Sequence, residues 1–258
     1  MDRLLELTYR AEQHHFWFRG FRQYLRPALA TATAGVRDAR ILDCGCGTGS
    51  NLEMLRPFGD AFGFDLTRTG TGFARSHGHR VAQASIGHIP FRDGVFDLAT
   101  SFDVFQVLPE AVEQAAVAEM ARVLKPGGRL LVHVAALDLL HGRHSVLSEE
   151  HRRYTPRSLR ALVEGAGFRI DRLTFDHFTL LPIMLPVRLW HRVTARNGQV
   201  RPGEGEISVP PAPINAALTA LVSMEAFALR AVNMPVGCSL MCLARKPCEA
   251  PPRADEHT

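Results

Sequence analysis

The chain has 258 residues, 46% of them hydrophobic and 22% charged, with a formal net charge of +4. That length holds one large domain with an insertion or two small ones, and the composition is that of a globular protein. The basic residues are nearly all Arg, with Lys only at Lys125 and Lys246, and they are spread along the chain rather than clustered, which argues against a nucleic-acid patch.

Residues 3–30 read as a helix that carries the aromatic cluster His14-His15-Phe16-Trp17-Phe18, and a small-residue linker follows at 31–38. Short apolar strands then alternate with helices. Strands are expected at 39–44, 61–65, 79–83, 95–101, 129–136 and 168–175, and helices at about 50–57, 68–77 and 109–123. The segment KPGG (125–128) is expected to stop the helix before it. Thr155 reads as the N-cap of another helix, with Pro156 at its first position. A last strand, 238–245, comes only after a long detour through 177–237, which includes an apolar helix at about 214–232. The alternation predicts an α/β fold with a parallel, doubly wound sheet. The tail, 247–258, reads as disordered.

The cysteines (44, 46, 238, 242 and 248) lack the paired C-x-x-C spacing of a zinc site, so a reduced, cytoplasmic protein without a metal is expected. The first residues have no apolar run followed by small residues, unlike a signal peptide.

The stretch ILDCGCGTGSN (41–51) places three glycines between a strand and a helix, where backbone can approach a ligand closely. Asp65 ends the next strand, 22 residues after Asp43, and is placed to accept hydrogen bonds from the two hydroxyls of a ribose. The order D-x-G-x-G-x-G differs from the pyrophosphate fingerprint. The leading acid, Asp43, would repel a phosphate and suit a cationic ligand.

With these motifs, and with IPFRDGVFDLATSFDVF (89–105) and LKPGGRLLVHV (124–134), the chain resembles the class I S-adenosylmethionine-dependent methyltransferases. The resemblance implies a Rossmann-like sheet, mostly parallel with an antiparallel last strand, and S-adenosylmethionine as cofactor, leaving as S-adenosylhomocysteine. It implies that Asp43, Gly45, Cys46, Gly47 and Gly49 line the methionine side of the cofactor and that Asp65 binds the ribose. Leu66, Ser85 and Ile86 would meet the nucleoside, with Ser85 and Ile86 flanking the adenine, and Ser101 and Phe102 would lie near the sulfonium. Ser85 stands where the family often has Asp, and Gln106-Val107 where many members read Glu-His. The flanks resemble bacterial members with an HWWFRGRR-like opening, matched by His15–Arg22, and an RRYT motif, matched by Arg152–Thr155.

Four parts are expected: an N-terminal helical cap (1–38), the cofactor domain (39–176 with 238–246), a helical lid insertion (177–237) and the tail. Ligands of open parallel sheets bind beyond the carboxyl ends of the strands, and the loop 137–155, the insertion and the aromatic helix form a three-part roof there. Trp17 and Arg19, or Arg22, are expected to reach the cofactor. His144, Glu149, Glu150, His151 and Tyr154 are the candidate bases or orienters, His being the usual choice near neutral pH. Arg152 and Arg153 read as structural partners of carboxylates, and His133 as a core or supporting residue.

The apolar helix near 214–232 contains Glu225 and lies between two strands of one sheet, which argues against a membrane span; contact with a membrane is peripheral at most. The expected activity is methyl transfer to a small, hydrophobic or lipid-like acceptor. The alternatives are a non-methylating enzyme that uses the same cofactor, such as a cyclase or isomerase, and a non-catalytic cofactor-binding subunit. The oligomeric state is not legible.

Overall fold

The computed structural model describes residue 9 and residues 11–140, 150–186 and 209–248. His144, Glu149, the start of the first helix and the tail from 249 lie outside the described residues.

A seven-stranded sheet organises the chain. Its strands are β1 (Arg40–Cys44), β2 (Asp60–Asp65), β3 (Val81–Gln83), β4 (Phe96–Phe102), β5 (Leu124–Ala135), β6 (Arg169–Asp176) and β7 (Ser239–Arg245), in the order β3-β2-β1-β4-β5-β7-β6. The pairs β1–β2, β2–β3, β1–β4 and β4–β5 are parallel, while β7 runs antiparallel to both neighbours. This is the doubly wound sheet expected from the alternation, with the antiparallel last strand that the family resemblance implied. Strand β7 can be antiparallel because the chain returns to it from the same edge at which β6 ends.

Helices cover both faces. On one side, α4 (Glu110–Val123) and α5 (Pro156–Gly165) bury Ala116, Val117, Met120, Leu159 and Val163 against Leu42, Phe96, Leu130 and Val132. On the other, α1 (Phe16–Thr33) and α2 (Ser50–Leu55) bury Phe21, Leu25, Leu29, Leu52 and Leu55 against Ile41, Leu98, Leu131 and Met241. Helix α3 (Arg68–Ser76) lies between β2 and β3 in the chain.

Two boundaries differ from the sequence expectation. The KPGG segment does not separate helix from strand: β5 starts at Leu124, directly after α4, and pairs Leu124 with Phe96. A register shift between Phe96 and Leu98 absorbs the irregularity, with Gly127 at φ +78°. The N-terminal helix is interrupted at His15, whose extended backbone (φ −70°, ψ 133°) makes it the N-cap of α1, its ring Nδ1 accepting from Trp17 N at 3.1 Å. Thr155 caps α5 as expected, in a reciprocal exchange with Ser158.

Helix α6 (Ala212–Ala228) lies across α1 rather than on the sheet. A Cβ added at Gly20 would lie 2.9 Å from Val222 Cγ2, so the bare backbone of α1 sets how closely the two helices approach. Asn215 fixes their register: its Oδ1 accepts from Phe16 N and its Nδ2 donates to His14 O, both at 2.9 Å. Among the described residues, no helix is long and apolar enough to cross a membrane.

The aromatic cluster is a clasp. Trp17 stacks on His177 at 3.9 Å between ring centroids and 9° between planes. It also packs with Tyr24, Leu180 and Val222, joining α1 to the end of β6 and to α6. Trp17 is half-buried, so Trp17→Ala is expected to cost about 2 kcal/mol in urea unfolding, below the full value for a buried Trp. A loss under about 0.5 kcal/mol, the range of ordinary surface changes, would show that the clasp does not hold the cap.

Candidate active site

The crevice forms where the strand order reverses, between β1 and β4. Gly45 N and Cys46 N both donate to Phe64 O at 2.9 Å, which folds the Gly-rich turn back over β2. Gly45 is at φ +84°, and a Cβ there would lie 2.5 Å from Val104 Cγ2, so the turn and the segment after β4 close on each other only because the side chain is missing. Cys46 is buried and Gly49 is the left-handed N-cap of α2.

Asp43 lies beneath the turn, 1% exposed, with Oδ1 accepting from Thr100 Oγ1 at 2.8 Å and Oδ2 buried without a partner. Burial raises its pKa from 3.8 to about 7, against the lowering effect of the Thr100 hydroxyl. An orphaned acid in that place suits a cationic group and repels a phosphate, as the motif implied. Asp65 holds the turn from the next strand: its Oδ2 accepts from Gly47 N at 2.9 Å, and its Oδ1 from Thr67 N at 2.8 Å and Thr67 Oγ1 at 2.7 Å. Leu66, beside it, is 69% exposed, an apolar face open to a flat ring. Ser85 is half-buried and its Oγ accepts from Gly87 N at 3.3 Å, while Ile86 is buried in the core beside Phe64.

From the cap, Arg22 reaches the turn, with Nη2 donating to Ser50 Oγ at 2.9 Å, whereas Arg19 is exposed. Glu12 is drawn into the same corner; burial raises its pKa while Ser50, Arg22 and Thr48 hold it down.

Two residues expected near the sulfonium are turned inward. Ser101 is fully buried and its Oγ donates to Cys44 O at 3.2 Å, and Phe102 packs edge-on against Phe21. The first side chain past β4 that reaches the open is Asp103, an acid three residues earlier than the Glu-His position. Its Oδ1 meets His133 Nδ1 at 3.0 Å, and the far side of that ring, Nε2, meets Asp176 Oδ2 at 3.1 Å. His177 Nδ1 lies 2.6 Å from Asp176 Oδ1. Burial opposes charge on His133, but the carboxylates of Asp176 and Asp103 outweigh it and raise its pKa to about 10. Burial likewise opposes charge on Asp176, yet His133 and His177 hold it below the usual carboxylate range.

His133, Asp176 and His177 also have the composition of a metal site, their donor atoms lying within 4.8 Å of one another. The 2.6 Å contact is that of a direct hydrogen bond between the ring and the carboxylate. Donors around one zinc, each at about 2 Å from it, stand roughly 3.3 Å apart.

Of the loop candidates among the described residues, Tyr154 and Glu150 are already engaged by other side chains. Tyr154 is buried, and its hydroxyl donates to Glu113. Burial and that carboxylate push its pKa far above the usual phenol value. Glu150 accepts from Arg153 at 2.9 Å, and Arg152 pairs with Glu113, the structural roles expected of both arginines. His151 is exposed, and its backbone N donates to Gln106 O at 2.8 Å.

The strand order and the Gly-rich turn together place the chain in the Rossmann-like class of folds. A family profile described as a methyltransferase domain matches residues 42–132. The chain is 30% identical over 193 residues to a malonyl-[acyl-carrier protein] O-methyltransferase of Herminiimonas arsenicoxydans, spanning 69% of this chain and 73% of that one. It is 34% identical over 122 residues to a demethylmenaquinone methyltransferase of Thermobifida fusca, over 44% of this chain and 50% of that one. A SAM-dependent methyltransferase structure from Archaeoglobus fulgidus superposes with a TM-score of 0.58 at 15% identity, covering 88% and 93% of the two chains. The protein belongs to the class I S-adenosylmethionine-dependent methyltransferases. It is a methyltransferase that uses S-adenosylmethionine.

Proposed function

We propose that the enzyme transfers a methyl group to a small, hydrophobic or lipid-like acceptor held under the N-terminal cap and the 177–237 insertion. The observation that carries this reading is the apolar character of that cover. Met224 and Phe227, one turn apart on α6, are 64% and 73% exposed, with Phe178 and Ile183 exposed on the same insertion. The relatives named for malonyl-acyl carrier protein and demethylmenaquinone point the same way.

The cofactor supplies a methyl group already activated by the sulfonium, and the chain's own residues bind and align it. In this reading Asp43 offers its orphaned carboxyl to the ammonium, and Gly45, Cys46, Gly47 and Gly49 admit the methionine part. Arg22 holds the carboxylate. Asp65 receives the ribose hydroxyls, and Leu66, Ser85 and Ile86 enclose the adenine. The cap and insertion exclude water.

The test is calorimetric titration with S-adenosylmethionine, followed by labelled transfer into total lipid extract. Binding with label in the organic phase is expected; label confined to water-soluble products would overturn the lipid-like acceptor.

Affinity is also expected to depend on pH. Asp43, with its pKa at about 7, is protonated below that value, and a cationic partner needs it ionised. Binding below pH 7 must therefore release a proton, and affinity falls by up to about tenfold per pH unit as pH decreases. In Asp43→Asn the slope disappears. The sign for the free protein is opposite: a raised carboxyl pKa contributes stability below 3.8 that is lost as pH rises through about 7.

A further inference from the structure

Asp103 adopts φ +56°, in the left-handed region, and Leu137 and His177 do the same just beyond β5 and β6. Non-glycine residues are held there only when their surroundings impose it, and they gather at functional sites. The surroundings of Asp103 are explicit. Its N–H donates to His133 O at 2.9 Å, and its Oδ1 receives Gln106 Nε2 at 3.3 Å as well as the His133 ring. Behind His133 stand Asp176 and His177, and Phe21 of the cap lies edge-on to the ring at 4.9 Å.

The cluster is buried everywhere except at one end. The His133 side chain is 1% exposed and that of Asp103 is 45% exposed. Val104, the next residue, is the one that closes on Gly45. The single open carboxylate of a buried acid–imidazole chain thus stands at the crevice between β1 and β4.

We propose that Asp103 is the reaction-centre carboxylate, facing the transferred methyl group and accepting the proton of the acceptor. The placement rests on the cofactor reading given above. Asp103 takes that proton as the acceptor's nucleophilic atom forms its bond to the methyl carbon and the carbon–sulfur pair returns to sulfur, leaving a neutral thioether; the proton then passes to solvent. His133 is a positioning residue, fixing one oxygen of Asp103 from below. The acceptor class follows: a hydroxyl, an amine or an acidic carbon, each of which has a proton to give. A free carboxylate has none and would be repelled by like charge.

The test needs no acceptor. S-adenosylmethionine carries the sulfonium charge and S-adenosylhomocysteine does not, so a carboxylate at the reaction centre favours the first over the second. Both are titrated calorimetrically into wild type and Asp103→Asn, a substitution suited to positive φ because Asn tolerates that region. The expected result is a fall of about tenfold in the preference for the charged ligand in the variant. An unchanged preference, with both ligands still bound, overturns the proposal and leaves the cofactor reading standing. Failure of wild type to bind either ligand removes the cofactor reading and the proposal with it. Methyl transfer by wild type to the free carboxylate of a malonyl thioester would overturn the acceptor class.

Discussion

Asp176→Ala is expected to unfold at much lower urea concentrations than wild type, with a loss of about 3–5 kcal/mol, the usual result of removing one partner from a buried ion pair. Asp176 is wholly buried at the end of β6 and touches both His133 and His177. Without it, the His133 ring keeps Asp103 on one side and loses its counter-charge on the other, and His177 loses the partner of Nδ1. Asp176→Asn keeps the shape and one acceptor, so its loss is expected to be smaller. The pH dependence separates this account from simple packing. His133 has its pKa raised to about 10, so its pairing contributes stability that is complete below its ordinary value of 6.5 and fades as pH rises through about 10. Wild type is therefore expected to lose stability over that alkaline window, and Asp176→Ala to show a weaker slope there. Equal slopes in the two proteins would mean that the pair carries no charge.

Asp65→Ala is expected to weaken S-adenosylmethionine binding by at least about 100-fold, since the proposed ribose contact would lose two charge-assisted hydrogen bonds at about 1.5–3 kcal/mol each. Asp65 also organises the free site, accepting from Gly47 N, Thr67 N and Thr67 Oγ1, so its removal loosens the turn that receives the ligand. Asp65→Asn retains one acceptor oxygen and is expected to fall between. Calorimetric titration gives the affinities, and thermal unfolding separates a lost contact from a lost fold. If the affinity of Asp65→Ala stays within about threefold of wild type, the ribose reading is wrong.

Much of this architecture is legible in the residues because it is local. Strand and helix periods and the Thr155-Pro156 cap act through neighbours a few positions away, and the glycines at 45, 47 and 49 mark a turn by their own backbone freedom, each at positive φ. Asp65 follows from the same logic, an acid at the end of the strand next to a Gly-rich turn. The helix ends at Val123, before KPGG, as expected, but the strand starts at Leu124 rather than at Arg129, because Pro and glycines also suit an irregular strand start and pairing with Phe96 draws the segment into the sheet. The direction of the Ser101 side chain is set by the pleat: residue type does not say which face of β4 a small polar side chain takes, and the Cys44 carbonyl of the neighbouring strand accepts from its hydroxyl.

The clasp and the acidic chain belong to tertiary structure alone. Trp17 and His177 are 160 positions apart, and Asp103 just past β4, His133 in β5 and Asp176 at the end of β6 have no periodic signal joining them. The sequence by itself determined a doubly wound sheet and a glycine-rich turn between β1 and α2, since those depend on short-range pattern and backbone freedom. Which polar side chains share one buried space, and which single carboxylate is left open to the crevice, was decided by strand register and by the helices laid across the sheet, because burial and pairing are properties of the packed chain.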